Sequence, residues 1–179
     1  MKLDRGGEAA FRRLYELHYA EVLAYCLRRT DRSDAHDATS EVFLIAWRKI
    51  DELPEAEKVR SWLFGIAYRV LGHQWRSRAR YGRLKRKVAV TSNSAAPGPE
   101  TVVVRRAEDR RVLDAVRRLR PSDQEILRLA GWEEIPHAEI AEILGISVAA
   151  VDQRFHRAKR RLAREYDTAG GTNERGGAE

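Results

Sequence analysis

The chain has 179 residues, enough for one ordinary domain or two small ones, and its 34 Lys and Arg against 27 Asp and Glu give a formal charge of +7. That balance favours a polyanionic partner, either nucleic acid or an anionic membrane surface. The single cysteine, Cys26, excludes a disulfide framework within the chain and argues against a cysteine-based zinc site.

The N-terminal stretch MKLDRGGEAA lacks the apolar core of a signal peptide, and no apolar run approaches the roughly 20 residues needed to cross a bilayer. A cytoplasmic protein with no stable membrane insertion is therefore expected. Between Phe11 and Leu27 the residues Phe11, Leu14, Tyr15, Val22, Tyr25 and Cys26 recur at helical spacing, with His18 on the same stripe. Cys26 is expected as a buried inert thiol and His18 as a core-edge residue. The stretch TDRSD breaks the pattern, and Ser33 or Asp34 is placed to cap a second helix with the apolar face Ala38, Val42, Ile45, Ala46 and Ile50.

DELPEAEKVR, with Pro54 and mixed charge, interrupts the periodicity again. A third helix follows, with a broad stripe of Val59, Trp62, Leu63, Ile66, Ala67, Val70 and Leu71. It runs into HQWRSRARYGRLKRK, where Arg76, Arg78, Arg80, Arg83, Lys85, Arg86 and Lys87 stand with no acidic residue among them. That end is either a solvated helix terminus or a surface for a polyanion.

Residues 88–107 are rich in Ser, Ala, Gly and Pro and carry no 3.6-residue pattern, which predicts a flexible linker. Its VVV at 102–104 is the one β-like run. Val112, Ala115, Val116 and Leu119 then mark one helix, and Pro121-Ser122 opens another through Ile126, Leu127 and Ala130. The tail from Asp167, DTAGGTNERGGAE, has four glycines and almost nothing apolar, and is expected to be disordered. The fold class predicted is all-α: a helical domain over 1–87, a linker over 88–107, a second helical domain over 108–166, and a tail over 167–179.

The stretch AEIAEILGISVAAVDQRFHRAKRRL carries the sharpest signal. Ile140, Ala141, Ile143 and Leu144 give one short helix its apolar face. Gly145 supplies the left-handed conformation that ends it, and Ser147 is a good N-cap for the next helix. In that helix Val148, Val151, Phe155, Ala158 and Leu162 form the inward stripe. Gln153, His156, Arg157, Arg160 and Arg164 are thereby forced outward, with Asp152 and Arg154 on the flanks. A polar, cationic face of that length fits a major groove: guanidinium forks suit guanine edges and phosphates, Gln suits adenine, and Asp accepts from cytosine. A plain helical corner with a solvated surface is the alternative.

Taken in order, FRRLYELHYAEVLAYCLRR, SDAHDATSEVFLIAWRKI and VRSWLFGIAYRVLGHQWRSRAR, followed by LRPSDQEILRLAGWEEIPHAEIAEILGISVAAVDQRFHRAKRRL, resemble the two conserved regions of bacterial sigma factors of the extracytoplasmic-function class. The resemblance runs from about Glu8 to Arg164. It implies that the first domain is sigma region 2 and the second the helix-turn-helix of region 4. It further implies that Asp34, Asp37, Glu41, Val42, Phe43 and Trp47 lie in the segment that docks on the clamp helices of the polymerase β′ subunit, with the β flap as a second polymerase contact. Leu53 to Arg60 matches the loop that captures a base flipped from the nontemplate strand of the −10 element. On the same basis Leu53, Arg60, Arg69, His73, Arg76 and Arg80 are expected to contact the −10 element. Asp152, Gln153, Arg154, His156 and Arg157 fall on positions that read the −35 element, with Arg160 and Arg161 for phosphate. An anti-sigma partner is implied as well.

Some positions depart from the family's habit. Ala38 and Ser40 stand where Leu and Gln are common, Arg69 and His73 where Asn and Asp are, and Asp152 where a basic or polar residue is usual. Among the aromatics near the strand-opening segment, Tyr68 and Trp75 lie off the apolar stripe and are candidates for base stacking, while Trp62 belongs to it.

The reading is thus a non-catalytic initiation subunit that needs no cofactor and directs core RNA polymerase to promoter DNA. No Gly-rich phosphate loop or catalytic constellation stands against it. The residues alone also admit an autonomous DNA-binding regulator, or a helical adaptor whose charge only solvates it.

Overall fold

The computed structural model describes residues 5–88 and 107–171, with side chains over 7–79 and 111–168. Among these residues every regular element is helical: α1 (Arg5–Leu27), α2 (Arg32–Arg48), α3 (Val59–Val88), α4 (Ala107–Arg118), α5 (Pro121–Gly131), α6 (His137–Leu144) and α7 (Val148–Gly171). The helices sort into two compact units, α1 to α3 in one and α4 to α7 in the other. Among the described residues no helix is long and apolar enough to cross a membrane.

In the first unit the predicted stripes become the core. Leu14, Val22, Tyr25 and Cys26 of α1 meet Ala38, Val42 and Ala46 of α2, and Leu63, Ile66, Ala67, Val70 and Leu71 of α3, all buried. Each fully buried large aliphatic side chain contributes about 1.5–3 kcal/mol. Tyr25 stacks on Phe64 with centroids 4.7 Å apart. The Arg29 guanidinium lies 3.4 Å over the Tyr25 ring and donates to the Tyr25 carbonyl at 3.0 Å. A buried arginine is thus held by a ring face and a carbonyl.

Four details differ from the sequence reading. Phe64, off the predicted stripe, is in the core, whereas Trp62 is only half-buried and Tyr15 of the first stripe is 41% exposed. The α2 cap is Asp31, not Ser33 or Asp34: its extended backbone (φ −68°, ψ 167°) lets its carboxylate accept from the Asp34 N–H at 2.9 Å. Helix then begins at Arg32, which sets Asp34 in the first turn, where a carboxylate meets the positive end of the helix dipole. Pro54 separates two single 3₁₀ turns, Ile50–Glu52 and Ala56–Lys58, ahead of α3.

The second unit is built around Ala115, Val116 and Leu119 of α4, Ile126, Leu127 and Leu129 of α5, Ile140, Ala141 and Ile143 of α6, and Val151 and Ala158 of α7. Val112 and Val148, both placed on inward stripes by spacing, sit exposed at the rim. Pro121 occupies the first turn of α5, where its missing N–H is no loss. The Gln124 amide closes the α4–α5 corner by donating to the carbonyls of Leu119 at 2.9 Å and Arg117 at 3.1 Å.

α7 continues to Gly171, five residues into the segment expected to be a disordered tail. Extending an anchored helix adds one backbone bond per residue fixed, and the Thr168 hydroxyl donates to the Arg164 carbonyl at 2.7 Å. The expected linker over 88–107, apart from its two end residues, and the tail beyond 171 lie outside the described residues.

Candidate nucleic-acid interfaces

The geometry of the helix pair α6–α7 follows from three local devices. Gly145 takes φ +66°, a left-handed conformation in which its N–H returns to the Ala141 carbonyl. Ile146 N–H reaches the same carbonyl at 3.1 Å. Ser147 then caps α7, its hydroxyl accepting from the Ala150 N–H at 3.2 Å. Burial of Val151 and Ala158, with Phe155 and Leu162 half-buried, fixes the rotation of α7 about its axis.

That rotation leaves Gln153, Arg154, His156, Arg157, Arg160 and Arg164 exposed along the outer side of α7. Arg157 Nε donates to the Gln153 carbonyl at 3.3 Å, one turn back. Two expected DNA contacts have partners inside the unit. Asp152 Oδ1 lies 2.6 Å from His137 Nδ1 at the start of α6. Arg161 is turned to the buried carboxylate of Asp123 in the first turn of α5. Its position next to Arg160 in sequence places it roughly 100° further round the helix, toward α5. Sequence spacing could not reveal Asp123, which lies 38 residues away.

In the first unit Arg69, His73 and Arg76 of α3 are exposed at intervals of four and three and so share a face. The Arg76 guanidinium folds back over Gly72, its Nη1 3.5 Å from where a Cβ would stand. Trp75 is exposed and Tyr68 half-buried. Leu53 is half-buried between the two 3₁₀ turns. Arg60, in the first turn of α3, lies 3.7 Å from the Glu21 carboxylate of α1 and 5.5 Å from the Phe64 ring centroid. Arg78 does not join an unopposed cationic run: it pairs with Asp34 and stands 3.8 Å from Asp31. The side chain of Arg80 lies outside the described residues, as do those of Arg83, Lys85, Arg86 and Lys87.

The α2 residues expected to dock on a protein partner divide in the same way. Asp37 and Glu41 are exposed. Asp34 is held inward by Arg78 and by the Thr30 hydroxyl, which donates to it at 3.2 Å. Phe43 is 3% exposed and packs edge-on against Tyr15 at 4.8 Å, so it is a core ring and not an exposed anchor. Trp47 is half-buried against Phe11 at 4.7 Å. Phe11, Tyr15, Tyr19, Ser40, Phe43, Leu44 and Trp47 together line an open groove of about 430 Å³. The exposed apolar surface belongs to Tyr15 and to Leu44, which the sequence reading did not single out. The spacing Phe11, Tyr15, Tyr19 on α1 was the available signal for an aromatic ridge.

Comparison with known proteins places names beside these two units. The family model for Sigma-70 region 2 matches residues 14–81, and that for Sigma-70, region 4 matches residues 109–162. The chain is 32% identical over 163 residues to the ECF RNA polymerase sigma factor BldN of Streptomyces coelicolor, covering 89% of this chain and 62% of that protein. It thus spans somewhat under two thirds of that relative's length. It is 28% identical to the RNA polymerase sigma factor YlaC of Bacillus subtilis, covering 83% of this chain and 87% of that one. Among solved structures, that of CnrH in complex with the cytosolic domain of CnrY has a TM-score of 0.61 and 25% identity, covering 90% of each chain.

Proposed function

The chain belongs to the sigma-70 family of RNA polymerase sigma factors, in its extracytoplasmic-function class, and from that premise we propose that it directs core RNA polymerase to promoters by binding a −35 element with α7 and a −10 element with α3 and the turns before it. The observation that carries the proposal is the outer face of α7, where Gln153, His156, Arg157 and Arg160 stand exposed behind a glycine turn and a serine cap. Phosphate anchoring falls to Arg160 and Arg164, and base contacts to Gln153, Arg154, His156 and Arg157.

In the first unit the exposed trio Arg69, His73 and Arg76, with Arg80 further along the same helix, is proposed to follow the nontemplate strand, and Leu53 and Arg60 to flank the extruded base. Asp37 and Glu41 give α2 an acidic outer edge beside the aromatic groove, a surface suited to a partner helix pair such as the β′ clamp helices. The β flap is proposed to engage the second unit. The protein itself is proposed to be non-catalytic, the polymerase supplying the chemistry, and to work in the cytoplasm with the polymerase. CnrH is known in complex with the cytosolic domain of CnrY, which supports a protein partner for this chain too, proposed here as an anti-sigma factor.

The test is selection of duplex sequences by the protein with and without core polymerase. Enrichment of a two-part site, with its halves separated by a fixed spacer and recovered only by the reconstituted holoenzyme, is the expected result. Enrichment of a single site by the protein alone would make it a conventional regulator.

A further inference from the structure

On the outward face of α7 that carries Gln153 and His156, the Asp152 carboxylate is joined to another helix. His137 Nδ1 approaches its Oδ1 at 2.6 Å. A carboxylate only accepts, so the ring's Nδ1 carries the proton and donates. The imidazole is fixed from a second side, standing edge-on to Phe155 with centroids 5.0 Å apart. Phe155 is half-buried and Lys159 lies 5.6 Å over its ring. His137 thus touches α7 at two positions, three residues apart on neighbouring faces. The Asp152 side chain remains 58% exposed and that of His137 33%.

We propose that His137 is a positioning residue for base readout: it holds the Asp152 carboxylate so that the second oxygen accepts from the exocyclic amino group of a cytosine in the −35 duplex. The proposal rests on the sigma-factor reading given above. Two physical requirements meet in the pair. An unsupported aspartate on a face that approaches phosphates is repelled by them, and it must lose rotamer freedom to address one base. The imidazole N–H disperses the charge of Oδ1 and selects one χ1 well before DNA arrives. Both carboxylate oxygens carry acceptor capacity, so engagement of Oδ1 leaves Oδ2 for the cytosine amino group, the one major-groove donor of a G·C pair.

The experiment uses holoenzyme reconstituted with wild-type protein, His137→Ala, His137→Asn, Asp152→Ala and the His137→Ala/Asp152→Ala double variant. Affinity is measured for promoter duplexes carrying each of the four base pairs at every −35 position. Wild type is expected to favour cytosine at one position by about tenfold, and Asp152→Ala to abolish that preference. His137→Ala should lower it severalfold at that position alone, the double variant should match Asp152→Ala, and His137→Asn, which sets an amide N–H near the place of Nδ1, should retain it. Uniform weakening by His137→Ala across all duplexes would make His137 a backbone contact and overturn the proposal, as would an unchanged preference. Wild-type holoenzyme that initiates from the promoter yet shows no base preference opposite Asp152 removes this inference alone; holoenzyme indifferent to the whole −35 element removes the reading beneath it as well.

Discussion

Arg161 separates two accounts of the second unit. As a phosphate contact it would contribute to DNA affinity and little to stability; paired with Asp123 it should do the reverse. Breaking a fully buried ion pair by deleting one partner costs about 3–5 kcal/mol. Here the Asp123 side chain is 8% exposed and the Arg161 side chain 41%, so water can reach the carboxylate once the arginine is gone. Asp123 also sits in the first turn of α5, where the helix dipole returns about 0.3–1 kcal/mol to a carboxylate. Arg161→Ala is therefore expected to destabilise the unit by about 1–2 kcal/mol, a fall in melting temperature of about 4–8 °C per kcal/mol for a unit of this size. Thermal unfolding followed by circular dichroism reads the shift, and the Asp123→Ala/Arg161→Ala cycle should return a coupling of about 1–2 kcal/mol. An unchanged melting curve together with tenfold weaker promoter binding refutes the inward assignment of Arg161.

Arg160→Ala and Arg164→Ala should each reduce the slope of log affinity against log salt by about 0.9, measured by holoenzyme binding to a promoter duplex at several salt concentrations; a slope unmoved by both variants removes these side chains from the phosphate contacts. Gly145→Ala should lower stability by about 1–2 kcal/mol in urea unfolding, because φ is +66° while nothing stands within 4 Å of an added Cβ. Gly145→Asn should lose less, since asparagine enters the left-handed region more readily. Asp31→Ala removes the α2 cap, and a loss of about 1 kcal/mol is expected in the first unit; Ser33→Ala should be near neutral, and the opposite order would return the cap to the position read from the sequence.

Helix existence and inward faces were legible because burial imposes a 3.6-residue period that the sequence keeps: Leu63, Ile66, Ala67 and Val70 were named by spacing and are buried. The turn into α7 was equally legible, since Gly145 and Ser147 act through local backbone chemistry. Partners distant in sequence were not. Arg78 reads as one of a basic run, yet its counter-charge is Asp34 on another helix. Asp152 reads as a flank of the cationic face and Arg161 as a phosphate contact, yet each has a partner on α6 or α5. Phe43, which meets Phe11, Tyr15 and Tyr19 of α1, is buried, and Trp47, one turn on and set against Phe11, is half-buried. Capping residues were ambiguous for a different reason: TDRSD offers several oxygens, and only the backbone conformation at Asp31 decides which one is used.

Runoff transcription by purified core RNA polymerase tests the central claim most directly. With a promoter recovered by holoenzyme selection, transcripts of defined start are expected only when this protein is added, and they should be lost when charge is reversed at Asp37 and Glu41 while the variant still melts as wild type does. Transcription that proceeds equally without the protein, or duplex binding by the protein alone that polymerase neither needs nor strengthens, would contradict it.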